Sequence, residues 1–280
     1  MKVLFLTLLP KNFLSWCTGV FVRLRIPGPI GHAIRAGFVR IFGIDMSEAE
    51  HPLEFYDSIE AVFTRALKPG RRSIAGVVCS PADGTLARSE PALQNMAVQA
   101  KGFDCPLPQL IRGTEFDPGL TLNWFFTVYL APHNYHRVHS PVDGSVERIT
   151  HIPGKLWPVN DHFIHRVHGV FSENERLVFD IRRPNGGMVY VVMVGAFNVG
   201  RMETVLAPGF VTNASPLSSK GIRKVSMGAS RPIKRGDELG VFMLGSTVVV
   251  AFDSKALEGI SFSPKSTNQP ILMGTPIDNQ

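Results

Sequence analysis

Only three cysteines, Cys17, Cys79 and Cys105, occur in the 280 residues. They are odd in number and too far apart for a CxxC pair. Neither a disulfide framework nor a cysteine-built zinc site is expected, and a reducing compartment is the simpler setting. Long apolar runs are missing as well. The longest near the start, Val3 to Leu9, is interrupted by Thr7 and halted by Pro10, far short of the roughly 20 residues a spanning helix needs. Acidic residues are absent from residues 1–44, which hold Lys2, Lys11, Arg23, Arg25, Arg35 and Arg40. Those six account for the whole net charge of +6, so the rest of the chain is neutral. A basic excess confined to one apolar end excludes a protein-wide nucleic-acid surface and points to an element at a membrane surface.

What is present describes a folded, turn-rich protein. With 44% hydrophobic and 19% charged residues, 26 Gly and 21 Pro, disorder, collagen-like repeats and a coiled coil are poor fits. The length allows one large or two small domains. Asn12 to Arg25 and Gly31 to Ile44 interleave Phe13, Leu14, Trp16, Val20, Phe21, Leu24, Ile34, Phe38, Ile41 and Phe42 with arginines, the pattern of amphipathic helices lying in an interface. Docking of these helices on the rest of the protein, or a removable transit peptide, are the competing readings. A capping box at Ser47 to Glu50 and a helix over Ser58 to Leu67, ended by Lys68-Pro69-Gly70, come next. Strands are then expected over Val77–Val78, Thr121–Leu130, Ser145–Ile149, Arg176–Ile181, Met188–Phe197 and Leu239–Phe252. The tail beyond Phe262 is polar and expected to lie extended over the surface. The fold class is therefore α+β: a mainly β, barrel- or sandwich-like core with a duplicated strand-turn unit, and N-terminal amphipathic helices.

The duplication shows as Ser80-Pro81-Ala82-Asp83-Gly84 returning as Ser140-Pro141-Val142-Asp143-Gly144. Either its aspartates face a shared cleft, or Pro and Asp-Gly are only turn chemistry. Six of the nine histidines fall in two triplets, His133, His136, His139 and His162, His165, His168. On a helix this spacing would put each triplet on one face. There is no HExxH and no nearby carboxylate set to complete a ligand shell, so no metal is expected, and His136 or His139 beside a turn suits a general base better. The apolar run 241–252 holds Gly245-Ser246-Thr247 in its middle. That triplet is a hairpin turn, or a site where the Ser246 hydroxyl attacks the preceding carbonyl.

LGSTV after GDELGVF resembles the self-processing site of the phosphatidylserine decarboxylase proenzymes. FTRALKPGRRSI at 63–74, SPADG at 80–84, YHRVHSPVDG at 135–144, PGKLWPVN at 153–160, NER at 174–176 and VGAFNVGRMETV at 194–205 are similar too, as are the basic N-terminal helices and IDMSEAEHP. The resemblance implies that Ser246 attacks the Gly245 carbonyl and that the chain cleaves between 245 and 246. The products would be a β chain (1–245) and an α chain (246–280) that starts with a pyruvoyl group made from Ser246. It implies His139 as the base, Asp83 rather than Asp143 as the acid that orients it, and His136 for the substrate headgroup or proton handling. The implied reaction converts phosphatidylserine to phosphatidylethanolamine and CO2 through a Schiff base with the pyruvoyl ketone, with no metal. It further implies residues 1–70 as a helical membrane-associating segment and 71–280 as the β-rich catalytic domain. The partners expected are the phospholipid substrate, an anionic membrane surface and a second copy in a homodimer, with no nucleic acid, at the cytoplasmic face of a bacterial cell membrane. Some members carry Asp where this chain has Asn134, which leaves any task there that needs a charge in doubt. A metal-dependent hydrolase built on the histidine triplets, and a non-catalytic membrane-binding protein, stand as alternatives.

Overall fold

The computed structural model describes residues 11–100, 103–113, 119–159, 166, 169–197, 201–213, 221–243, 246–264 and 268–279. Two helices open the chain, α1 (Lys11–Val22) and α2 (Gly28–Phe42). A proline in its first turn starts α2, and Gly43 ends it in the left-handed conformation at φ 66°. One side of the pair docks: Val22, Gly31, Arg35 and Ile44 are buried, and Arg35 Nη1 donates to the Ile26 carbonyl at 3.2 Å. The other side leaves Phe21, Leu24, Ile30, Ile41 and Phe42 exposed.

Helix α3 is shorter than the sequence suggests, running only over Ile59–Phe63. Ser58 caps it by accepting the Ala61 N–H at 3.2 Å. It stops early because the following residues pair elsewhere. Glu50 N–H donates to the Ala66 carbonyl at 2.9 Å and Lys68 N–H to the Glu48 carbonyl at 2.9 Å. Ser47 starts no capping box, since its N–H bonds the Asp45 carboxylate at 2.8 Å in a turn.

The body is mainly β, as expected, with every strand pair antiparallel. Its principal sheet takes β1 (Gly84–Pro91), β4 (Trp124–Leu130), β6 (Gly144–Ile152), β7 (Arg176–Arg182), β8 (Met188–Val194), β10 (Arg223–Ile233), β12 (Ser246–Phe252) and β13 (Gln269–Ile271) in the order β10-β6-β7-β8-β12-β4-β1-β13. Its middle strands read as continuous apolar runs because both faces are covered: Val189, Val191, Val192, Met193, Val248, Val249, Val250 and Phe252 have no exposed surface. A three-stranded sheet joins β5 (Arg137–His139), β11 (Glu238–Phe242) and β9 (Met202–Thr204), and β2 (Met96–Ala100) pairs with β3 (Phe103–Pro106). The run from Leu239 to Phe252 thus divides into two strands in different sheets.

The sequence echo is a structural repeat with local two-fold character. In each copy the serine hydroxyl donates to the carbonyl two residues on, Ser80 to Ala82 and Ser140 to Val142, both at 2.7 Å. The copies bond each other: Cys79 N–H donates to the Pro141 carbonyl at 3.0 Å and His139 N–H to the Pro81 carbonyl at 2.8 Å. Each has a matching partner segment. Gly84 and Thr85 pair with Ile271 and Pro270, and Gly144 and Ser145 pair with Ile233 and Pro232. Met273 N–H donates to Asp83 and Arg235 N–H to Asp143, both at 2.8 Å. Gly274 and Gly236 follow at φ 87° and 83°, where only glycine sits without strain. So QPILMGT repeats RPIKRGD, and the tail is no loose cover: Ile277 is fully buried and Asp278 nearly so.

Asn174 explains why three quoted segments lie together. Its side chain accepts the Trp157 N–H and donates to the Trp157 and Gly195 carbonyls, at 2.8, 2.8 and 2.9 Å. Asn174→Ala strands all three buried groups and is expected to lower stability by about 1–3 kcal/mol, read as a fall in Tm by calorimetry. An unchanged Tm would remove Asn174 from this role.

Candidate active site

The sheet register gathers one end of several strands around position 246. Gly245 lies outside the described residues, and Ser246 is placed by its main chain alone, opposite Leu130 of β4. Thr247 pairs with Tyr129 on one side and Val194 on the other. Across Tyr129 stands Thr85 of β1, so Asp83, two residues earlier, enters the sheet two strands from β12, or about 10 Å at ordinary strand spacing. Gly84 permits this approach, since a Cβ there would stand 2.2 Å from the Tyr129 carbonyl oxygen. Phe242, at the end of β11, donates its N–H to the His136 carbonyl at 3.1 Å. Residues 131–136 therefore run from β4, the neighbour of β12, to β5, the neighbour of β11.

His139 is buried on β5, with both ring nitrogens bonded. Nδ1 lies 2.8 Å from the Gly236 carbonyl oxygen and Nε2 3.0 Å from the Tyr135 hydroxyl. A carbonyl only accepts, so Nδ1 carries the proton and Nε2 receives the Tyr135 O–H. Burial pushes the imidazole below its ordinary pKa, against the opposing effect of the Gly236 hydrogen bond. Burial also raises the Tyr135 phenol. The pair is a neutral imidazole whose lone pair at Nε2 is occupied by a neutral phenol.

Asp83 faces elsewhere. Its two oxygens take Arg72 Nε at 2.9 Å and Nη2 at 2.5 Å, and Oδ1 also accepts the Met273 N–H. Arg72 reaches Glu48 at 2.8 Å with the same guanidinium, and the bond to Asp83 is the main reason its pKa is raised. Asp83 thus bears on His139 by charge, and the turn that carries it accepts the His139 main-chain N–H at the Pro81 carbonyl, while its carboxylate bonds Arg72 and Met273 instead. The two-fold sets the copies apart. Asp83 is buried, whereas Asp143 is more than half exposed, and the place that His139 holds in one copy is Cys79 in the other.

His136 is wholly buried, with Nδ1 bonded to the Asn134 carbonyl at 2.9 Å and Nε2 without a partner among the described residues. Burial lowers its pKa to about 3. Its ring lies on Phe63 at 3.9 Å between centroids. Asn134 accepts the Ala131 N–H at 2.7 Å through Oδ1, a task that needs an acceptor oxygen and no charge. Since 137–139 is a strand, His136 and His139 point to different surroundings, and His133 is exposed. Among the described residues, no three His, Cys, Asp or Glu side chains group as metal ligands. His162, His165 and His168 lie outside those residues. Arg72, Tyr135 and Gly236 escape a reading by residue type, although Arg72 and Tyr135 stand inside quoted segments and Gly236 inside the unnoticed half of the repeat.

A family model described as phosphatidylserine decarboxylase matches residues 59–277. The phosphatidylserine decarboxylase proenzyme of Anaeromyxobacter sp. (strain K) is 39% identical over 251 residues, covering 89% of this chain and 88% of the relative. That of Myxococcus xanthus (strain DK1622) is 36% identical over 250 residues, 88% of this chain and 87% of the relative. That of Bordetella avium (strain 197N) is 37% identical over 279 residues, 95% of this chain and 90% of the relative. With the family model spanning most of the chain and relatives this similar over nearly all of it, the chain belongs to the phosphatidylserine decarboxylase family.

Proposed function

We propose that this chain is a proenzyme that cleaves itself at Gly245–Ser246 and then converts phosphatidylserine to phosphatidylethanolamine and CO2. The observation that carries the reading is the neutral, buried His139, whose main-chain N–H bonds the Pro81 carbonyl at the turn that enters the principal sheet two strands from the Ser246 main chain. In self-cleavage the Ser246 hydroxyl takes the place of the Tyr135 hydroxyl at His139 Nε2, which accepts its proton as the oxygen attacks the Gly245 carbonyl, and the acyl group moves from nitrogen to oxygen. Elimination of the ester frees residues 1–245, and hydrolysis of the residue left at 246 expels ammonia. Before that exchange Tyr135 keeps the imidazole aimed from Nε2, while Asp83 holds the turn through Arg72 and Met273.

The fold suits a broken chain, because β12 is paired on both sides and β13 on β1, so residues 246–280 stay seated after cleavage. The surroundings fit a pyruvoyl group at 246: Thr247 is buried beside it and its hydroxyl has no partner among the described residues. Such a group supplies an electrophilic ketone and an electron sink for decarboxylation. His136, kept neutral, presents Nε2 as a hydrogen-bond acceptor for the headgroup amine. Release of CO2 from phosphatidylserine vesicles by the cleaved protein tests the reading; cleaved protein that releases none contradicts it.

The two N-terminal helices hold the protein against the cytoplasmic face of a bacterial membrane. Their exposed Phe21, Leu24, Ile30, Ile41 and Phe42 stand among Arg25 and Arg40, which suits an interface. No helix among the described residues is long and apolar enough to cross a membrane. Removing residues 1–44 is expected to weaken binding to anionic vesicles at least about tenfold in flotation assays, since each basic residue near such a surface contributes about 1 kcal/mol. Equal flotation after the deletion would refute the assignment.

A further inference from the structure

The feature least explained by self-cleavage is a buried cation. Arg65 is 4% exposed. Its Nη2 donates to the His133 carbonyl at 3.2 Å, while Nε and Nη1 have no partner among the described residues. The carboxylates whose charge it feels, Asp83, Asp45 and Glu48, are bonded to Arg72 and to the Ser47 N–H. A desolvated guanidinium without a counter-ion is costly, and removal of one partner of a buried pair is how such a state normally arises.

Its neighbours are unfulfilled too. Tyr56 has a buried hydroxyl with no partner among the described residues, and Nε2 of His136 has none there either. Residues 63–65 clasp the loop that runs from the partner strand of Ser246. Phe63 lies on the His136 ring, the Thr64 carbonyl accepts Arg137 Nε at 3.0 Å, and Arg65 holds His133. The unpaired donors therefore belong to the region of the reacting residue.

We infer that Arg65 anchors the phosphodiester of the lipid headgroup, an inference that rests on the decarboxylase reading. A carboxylate is the other anion available on that substrate, and it is the wrong one to clamp. A cation paired with the departing carboxylate stabilises the charge that decarboxylation must disperse. The phosphodiester keeps its charge from substrate to product, so holding it is uniform binding that lowers KM and leaves kcat alone.

The test uses cleaved enzyme and a short-chain phosphatidylserine below its micellar concentration, which removes membrane binding from the readout. Arg65→Gln is expected to raise KM about tenfold or more with kcat within about twofold. Glycerophosphoethanolamine, which has the phosphodiester and no carboxylate, is expected to bind Arg65→Gln about tenfold more weakly than wild type by calorimetry, while free serine inhibits both alike. An unchanged KM, a fall confined to kcat, or loss of serine inhibition with glycerophosphoethanolamine binding intact overturns the inference. Should Arg65→Gln fail to mature, Arg65→Lys is measured the same way, and a wild-type KM and glycerophosphoethanolamine affinity overturn it. Wild-type protein that binds glycerophosphoethanolamine through Arg65 but releases no CO2 counts against the decarboxylase reading alone.

Discussion

Ser246→Ala protein is expected to remain one uncut chain and to release no CO2. Alanine has no oxygen to attack the Gly245 carbonyl, so the acyl shift has no first step and no ketone forms at 246. The change should leave the fold alone, because position 246 joins β12 through its main chain opposite Leu130 and loses one small polar group. Its Tm should stay within a few degrees of the wild type, which separates lost chemistry from lost structure. A Ser246→Ala chain that still divides would place the cleavage elsewhere and remove the basis for a pyruvoyl group.

His139→Gln is the second change with a large expected effect. Glutamine can keep a hydrogen bond to the Gly236 carbonyl but offers no basic lone pair, so self-cleavage should slow about 10²–10⁴-fold, the usual contribution of a general base. The pH dependence follows from the same side chain. The base works unprotonated, and burial holds the His139 pKa below the ordinary histidine value of about 6.5. Cleavage followed in slowly maturing protein should therefore be level at neutral pH and fall on acidification, with a midpoint under about 6.5. A midpoint above that value, or an undiminished rate in His139→Gln, would take His139 out of the role. His136 adds a stability effect of the same sign. With a folded pKa of about 3, it resists protonation that the unfolded chain accepts, so stability declines as pH falls from about 6.5 toward 3, by about 1.4 kcal/mol per unit.

Candidate site residues are easier to read from the sequence than the architecture is. Ser246, His139, Asp83 and His136 stand in segments whose resemblance names them, and the β-rich body shows in runs such as Met188–Val194. Boundaries were harder, because pairing partners distant in sequence decide them. Ser58–Leu67 has helical composition throughout, yet residues 66–68 leave the helix to pair with 48–50. Leu239–Phe252 reads as one apolar run, but its halves belong to different sheets. The repeat was half legible: SPADG and SPVDG share letters, whereas QPILMGT and RPIKRGD share mainly backbone geometry, with a glycine at positive φ as their common mark. Arg72 and Arg65 had no signal of their own, since an arginine in a sequence does not reveal whether its partner is a carboxylate, a carbonyl or nothing.

Intact mass spectrometry of the purified, denatured protein tests the central claim most directly. Self-cleavage with pyruvoyl formation predicts two chains divided between Gly245 and Ser246. The smaller, residues 246–280, would be lighter by the difference between an amino-terminal serine and a pyruvoyl group. A single chain of full mass, or a small chain that begins with unmodified serine, would contradict it.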